Sequence, residues 1–169
     1  AREGANDMID LHCHILPGVD DGAKNLEDSM DMARKAVAEG ITHILASPHY
    51  KNGHWDIEKQ TILRLVNEVQ EELDARAIPL TIFPGQEVRI NGDIFEDIKE
   101  NKIQFIDEEN QYVLIEFPTT TIPQYAETLF FEMQRDGITP IIVHPERNHV
   151  ILRNPEILMP FVEKGALAQ

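Results

Sequence analysis

The chain has 169 residues, 42% of them apolar, the composition of one globular domain, and its single cysteine excludes an internal disulfide. Thirty acidic against fifteen basic side chains give a net charge of -15, which repels phosphate backbones and excludes a sequence-independent grip on nucleic acid or anionic lipid. No apolar run approaches the roughly 18 residues of a membrane span, so the expected setting is cytoplasmic, with no membrane insertion.

Ala1 to Asp7 lack periodicity and precede Met8; they read as an expression scar, which leaves 8-169 as one domain. Met8 to His12 is a short apolar strand. Asn25 to Glu39 is a helix with Met30, Ala33, Val37 and Ala38 on one side, closed by Gly40. Ile41 to Ser47 is the second strand and Pro48 to Asp56 a loop. Ile57 to Ala77 is a longer helix whose Ile62, Leu65, Val66, Val69 and Leu73 repeat at three and four. Leu80 to Phe83 is the third strand, followed by a short helix near Asp93 to Glu100. A strand from Tyr112 to Phe117, a helix from Pro123 to Asp136, a strand from Thr139 to Val143 and a helix from Pro155 to Glu163 complete the alternation. Such alternation predicts right-handed βαβ units around a buried parallel sheet. Gly165 to Gln169 begins another strand, so the chain is expected to hold about five and a half βα units, an incomplete barrel.

Each of the five strands runs out into a metal ligand. His12 and His14 share a strand face and can reach one cation, although alone they are equally well read as histidines bonded to backbone groups. Asp10 shares that face and is placed to orient a ligand histidine, whereas Cys13 points away and reads as a small core residue. Asp20-Asp21-Gly22 is common turn chemistry, raised here by its position beside the histidine pair. His49 ends the second strand; His43 and His54 lie elsewhere and read as packing or surface residues. Glu87 and Glu116 close buried apolar segments, so each needs a cation or a metal. His144 opens His144-Pro145-Glu146-Arg147, where Arg147 is placed to hold a phosphoryl oxygen or else to pair with Glu146 or Glu156; Arg89 is the weaker candidate for that task.

The run Met8 to Gly22, with Ser47-Pro48-His49, Pro84-Gly85-Gln86-Glu87, Leu114-Ile115-Glu116-Phe117 and His144-Pro145-Glu146-Arg147, resembles the polymerase and histidinol phosphatase (PHP) superfamily. Within it the match is to the manganese-dependent protein-tyrosine phosphatases of bacterial capsule and exopolysaccharide operons. The resemblance implies an α/β fold of the distorted (β/α)7 PHP barrel type with up to three metals at the strand ends. It implies that His12, His14 and Glu87 bind the first ion, that Glu87 bridges to a second held by Glu116 and His144, that Asp21 and His49 bind a third, and that Arg147 contacts phosphate. Asp10, Asp20 and Arg89 would support these ligands or the substrate. Family members are longer and supply a later Asp-x-His pair to the first and third ions, so a complete cluster draws on more than these residues. The implied partner is the phosphotyrosine-bearing tail of a bacterial tyrosine kinase; oligomeric state is not legible.

Imidazole with carboxylate suits manganese, iron or zinc, and only the resemblance points to manganese. A phosphate monoester dianion needs its charge neutralised before water attacks it, and a phenolate, with a parent pKa near 10, leaves without much protonation. The cysteine-dependent phosphatase mechanism is excluded, since the position six residues after Cys13 is Val19 where an arginine is required. Two rivals stand beside the tyrosine phosphatase: another hydrolase of this architecture, such as a histidinol phosphatase or an amidohydrolase, and a non-catalytic metal-stabilised binding domain.

Overall fold

The structure is a computed structural model that describes residues 8-169; the expected scar at residues 1-7 lies outside them. Strands β1 (Met8–Cys13), β2 (Ile41–Ala46) and β4 (Thr81–Pro84) form one parallel sheet in the order β1-β2-β4. Strands β3 (His49–Tyr50), β5 (Glu87–Arg89), β6 (Tyr112–Glu116), β7 (Thr139–Ile142) and β8 (Leu167–Ala168) form a second, also parallel, in that order. Helices α1 (Leu26–Ala38), α2 (Lys59–Ala75), α3 (Ile94–Lys99), α4 (Ala126–Arg135), α5 (His149–Arg153) and α6 (Met159–Glu163) connect them.

Among the described residues eight strands therefore stand where five and the start of another were expected, and the reason is local. Pro48 has no N–H to give to a ladder, and the chain re-pairs around it: Ser47 N donates to Cys13 O at 2.9 Å while Glu87 N donates to Pro48 O at 2.9 Å. Gly85 makes the matching break in the neighbouring segment, where a Cβ would stand 2.9 Å from both Ala46 O and Leu45 Cγ. The expected second and third strands are thus each split, β2 from β3 and β4 from β5. Two expectations are corrected by this. The Pro48 to Asp56 loop contains a strand, and Glu87 opens β5 rather than closing the third strand.

Helix boundaries follow side-chain competition. Asn25 caps α1, its Oδ1 accepting from Asp28 N at 2.9 Å, and Glu27 and Asp28 complement the helix dipole. The buried stripe of α1 is Ser29, Met30, Ala33 and Ala36; Val37 is half-buried, and Ala38, expected inside, is exposed in the last turn of the helix. The α2 stripe is Ile62, Leu65, Val66, Val69 and Leu73 as the periodicity requires. It begins at Lys59 because Ile57 is held by its backbone: its N donates to His49 O at 3.2 Å and its O accepts from Gln86 Nε2 at 2.7 Å. The expected helix from Pro155 is a 3-10 turn, Pro155–Leu158, followed by the short α6. Helix α5 was not legible; buried Asn148 creates it, accepting from Val150 N and Ile151 N at 3.0 Å while its Nδ2 donates to Pro118 O and Thr121 O.

One apolar core lies between the first sheet and α1 and α2, and a larger one between the second sheet and α3, α4, α5 and α6. On β6, Val113 and Ile115 enter the larger core, whereas Leu114 packs with Leu45 and Val143 on the opposite face. Glu116 follows Leu114 on that second face. Alternation thus aims a carboxylate away from the helices toward the ends of the neighbouring strands.

Candidate metal centre

The site is built on Glu87, whose side chain is wholly buried at the start of β5. Its Oε2 lies 2.8 Å from His12 Nε2, 3.0 Å from His14 Nε2 and 3.7 Å from His49 Nδ1; its Oε1 lies 2.6 Å from His144 Nε2. Strand register brings these groups together, for His49 sits opposite Glu87 and Arg89 opposite Glu116 in the parallel ladders. His144 Nε2 is also 3.5 Å from Glu116 Oε2, and His49 Nδ1 is 3.9 Å from the same oxygen. The seven expected ligands thus meet at one end of the sheets. His43, stacked on Phe83, and His54, exposed, stand apart from this cluster.

Backbone geometry shows what the assembly requires. His144 occupies the left-handed region, φ 31° and ψ 58°, between β7 and the 3-10 turn Pro145–Arg147. A histidine there is strained by on the order of 1–3 kcal/mol, and in this backbone conformation its imidazole meets Glu87. Gly22 presses against His14 so closely that a Cβ would lie 2.1 Å from His14 O. That contact seats the Asp20–Gly22 turn beside the histidine: Asp20 Oδ2 is 2.7 Å from His14 Nδ1 while its Oδ1 accepts from Gly22 N at 2.9 Å. Asp20 therefore fixes the His14 ring with Nδ1–H directed to the carboxylate and Nε2 toward Glu87. Exposed Asp21 reaches His49 Nε2 at 3.3 Å. Asp10 acts on the backbone instead of an imidazole, accepting from His12 N at 3.0 Å. Arg89 places Nε and Nη2 each 2.7 Å from Glu116 Oε1, so its guanidinium is engaged with the carboxylate; here the ion pair weighed against a metal role is present.

Three overlapping groups of side chains have ligand atoms within 4.8 Å of one another: His12, His14 and Glu87; His49, Glu87 and Glu116; and His14, Asp20, Asp21 and His49. His49 joins the second and third through different ring nitrogens, a bridging arrangement that the sequence reading did not contain. The donor set fits a divalent ion. His49 Nδ1 is buried with no hydrogen-bond partner and faces two carboxylates, and an ion bonded at about 2.0–2.2 Å would hold such donors about 3 to 3.6 Å apart.

Burial and charge pull against each other throughout this cluster. Burial alone would lower the His14 pKa, but its hydrogen bonds to Asp20 and Glu87 carry it up to about 10. Burial would raise Glu87, yet contacts with His12, His14 and His144 hold it far below the usual carboxylate range. Burial and then the adjacent Glu87 push Glu116 up to about 7 against the pull of Arg89. Burial keeps His49 neutral, its pKa below the ordinary imidazole value. Metal binding must expel the protons on His14 and Glu116, so affinity rises with pH. Titration calorimetry in buffers of different ionisation enthalpy is expected to show proton release on binding that is larger below pH 7, where Glu116 also holds a proton, than between pH 7 and 10. A pH-independent affinity would contradict these assignments.

A cavity of about 210 Å³ opens above the cluster, lined by Asp21, His49, Asn52, Trp55, Arg89, Glu116, Phe117, Thr119, His144, Arg147 and Asn148 among others. Arg147 is exposed and forms no ion pair among the described residues; neither Glu146 nor Glu156 pairs with it. Sequence reasoning missed Asn52, Trp55 and Asn148. Trp55 carried a signal, being the one tryptophan and lying in a polar stretch ahead of a helix stripe it does not join.

Parallel strands with helical crossovers, ending in a pocket of imidazoles and carboxylates beneath an arginine, define an α/β protein with a candidate metal centre. The chain belongs to the capsular polysaccharide synthesis CpsB/CapC family, whose model matches residues 8–169. It is 44% identical over 162 residues to the tyrosine-protein phosphatase YwqE of Bacillus subtilis, covering 96% of this chain and 63% of the relative. It is 41% identical over 164 residues to a putative tyrosine-protein phosphatase, CapC, of Staphylococcus aureus, again covering 96% and 63%. A solved structure described as one of the metal-dependent tyrosine phosphatases YwqE from Bacillus subtilis and CpsB from Streptococcus pneumoniae superposes with a TM-score of 0.91 at 44% identity, covering 96% of this chain and 65% of that one. The chain therefore spans under two thirds of the length of these relatives.

Proposed function

We propose that this chain carries the metal-binding face of a phosphomonoesterase that hydrolyses phosphotyrosine in proteins. The observation that carries the reading is wholly buried Glu87 shared among three imidazoles, with an unpaired Arg147 on the wall of the same cavity. His12, His14 and Glu87 would hold one ion, Glu87, Glu116 and His144 a second, and Asp21 with His49 a third, His49 Nδ1 also facing the second. Manganese is the proposed metal, with iron or zinc compatible. Bound divalent ions would neutralise the phosphoryl charge and lower the pKa of a coordinated water.

The protein groups have separate tasks. Arg147 holds phosphoryl oxygens through a planar fork of donors. Asp20 keeps His14 Nε2 directed into the site, and Arg89 occupies Glu116 Oε1, leaving Oε2 turned toward His49 and His144. The sequential parallel strand order supports the (β/α)7 barrel reading of one domain over residues 8-169. No described helix is long and apolar enough to cross a membrane; a cytoplasmic setting and a kinase's phosphotyrosine tail as substrate belong to the same proposal, as does a role in capsule or exopolysaccharide synthesis.

Hydrolysis of a phosphotyrosine peptide should vanish with chelator and return with added manganese, and a phosphoserine peptide should be a poor substrate. Turnover that survives chelation, or peptide binding with no turnover, would reject the reading, the latter in favour of a binding domain. Arg147→Ala is expected to lower kcat/KM by about 10- to 100-fold, the loss of charge-assisted hydrogen bonds, with metal content unchanged and only partial recovery in Arg147→Lys.

Cys13 takes no part. Burial, then the charges of Asp10 and Asp20, push its thiol up to about 12, so no thiolate nucleophile exists near neutrality. Cys13→Ala should keep activity within about twofold by assay; a collapse of turnover would restore a thiol mechanism.

A further inference from the structure

Trp55 is the only tryptophan of the chain and belongs to none of its apolar cores. It lies half-buried in the loop between β3 and α2 and lines the cavity that holds Arg147, His144 and Glu116. Large aromatic side chains usually contribute by filling a core, so a tryptophan placed on a polar cavity wall calls for another role.

The loop is built to hold it there. Asn52 Oδ1 accepts from Trp55 N at 2.8 Å and from His54 N at 3.0 Å, which closes a tight turn around the indole backbone. The ring stacks on His49 with centroids 5.6 Å apart and planes at 19°, and His49 stacks in turn on His14 at 4.6 Å and 24°. The indole thus joins a column of three rings that begins inside the ligand cluster. Phe117, the other aromatic ring on the wall, is buried against Phe130 at 5.9 Å and Phe161 at 5.6 Å. Imidazoles aside, Trp55 is therefore the one aromatic ring of the cavity wall that no apolar core holds, with His49 stacked on it and exposed His54 tilted against it at 5.7 Å.

We propose that Trp55 is a specificity-determining residue, the aromatic wall against which the phenyl ring of an aryl phosphate packs while its phosphoryl group sits at Arg147 and the ligand cluster. The inference rests on the phosphomonoesterase reading and deepens it. The remaining lining named above is largely polar, and its donors, Arg147 first, hold phosphoryl oxygens irrespective of the leaving group, so it gives no reason to prefer a phenol to an alcohol. An aromatic contact in edge or offset geometry supplies that reason, with an advantage of about 3- to 10-fold for an aryl over an alkyl group.

The test uses two non-hydrolysable probes, phenylphosphonate and methylphosphonate, titrated calorimetrically into the manganese-loaded protein, with the emission of its single tryptophan followed in parallel. The wild type should bind phenylphosphonate about 3- to 10-fold more tightly, and only that probe should shift the emission. Trp55→Leu should erase the preference by weakening phenylphosphonate alone, and Trp55→Phe should restore most of it. If Trp55→Leu weakens both probes equally, or changes neither, the inference is overturned and Trp55 is a structural prop for His49. If the wild type binds neither probe, the phosphomonoesterase reading falls and takes this inference with it, a result distinct from loss of preference alone.

Discussion

Glu87→Gln is expected to lose bound metal and reduce phosphotyrosine hydrolysis to background. The carboxylate is wholly buried and lies within 3.0 Å of His12, His14 and His144, so no other side chain touches so many of the candidate ligands. Glutamine keeps the volume but removes the charge and one acceptor. Loss of a mere outer hydrogen-bond partner costs about 10- to 100-fold in metal affinity, so removal of the shared carboxylate should exceed the upper figure. Without metal the variant also takes one of its two carboxylate partners from His14, whose hydrogen bonds to Asp20 and Glu87 raise its pKa to about 10, so the fold should lose stability. Elemental analysis, thermal unfolding and steady-state rates read the three consequences separately. A variant with native metal content would remove Glu87 from the centre of the account.

Gly22→Ala should be nearly as damaging although it removes no ligand. An added methyl would stand 2.1 Å from His14 O and 2.5 Å from His14 Cβ, and neither atom is the tip of a flexible side chain. The backbone must move, carrying His14 away from Glu87 or the Asp20–Asp21 turn away from His14. Overpacking of this kind costs about 1–3 kcal/mol of stability, and displaced ligands should lower metal affinity by about 10- to 100-fold. Binding isotherms for the folded variant decide it; an affinity equal to the wild type would show that the turn does not position His14.

Much of this arrangement was legible because it is local. The Gly40 stop after α1, the α2 stripe and the buried strand ending in Glu116 each depend on a few neighbouring residues and are legible in the sequence. The fold brings His12, His14, Asp21, His49, Glu87, Glu116 and His144 together, although His49 and Glu87 open β3 and β5 instead of closing the expected second and third strands. What escaped depends on partners distant in sequence. Gly85 breaks its strand because of contact with Leu45 and Ala46, and α5 exists through Asn148 bonds to residues 118 and 121. Arg89 serves Glu116 because of a register between two strands, and the two faces of His49 emerge only when Asp21 and Glu116 meet it from opposite sides. Gly22 read as an ordinary turn residue; its closeness to His14 is a tertiary fact.

Crystals grown with manganese and measured at its absorption edge would test the central claim most directly. Anomalous peaks are expected about 2.0–2.3 Å from ligand atoms of His12, His14 and Glu87, and of Glu87, Glu116 and His144 or His49, with Glu87 common to both. A map with no peak touching Glu87, or with manganese bound only elsewhere on the acidic surface, would contradict the account.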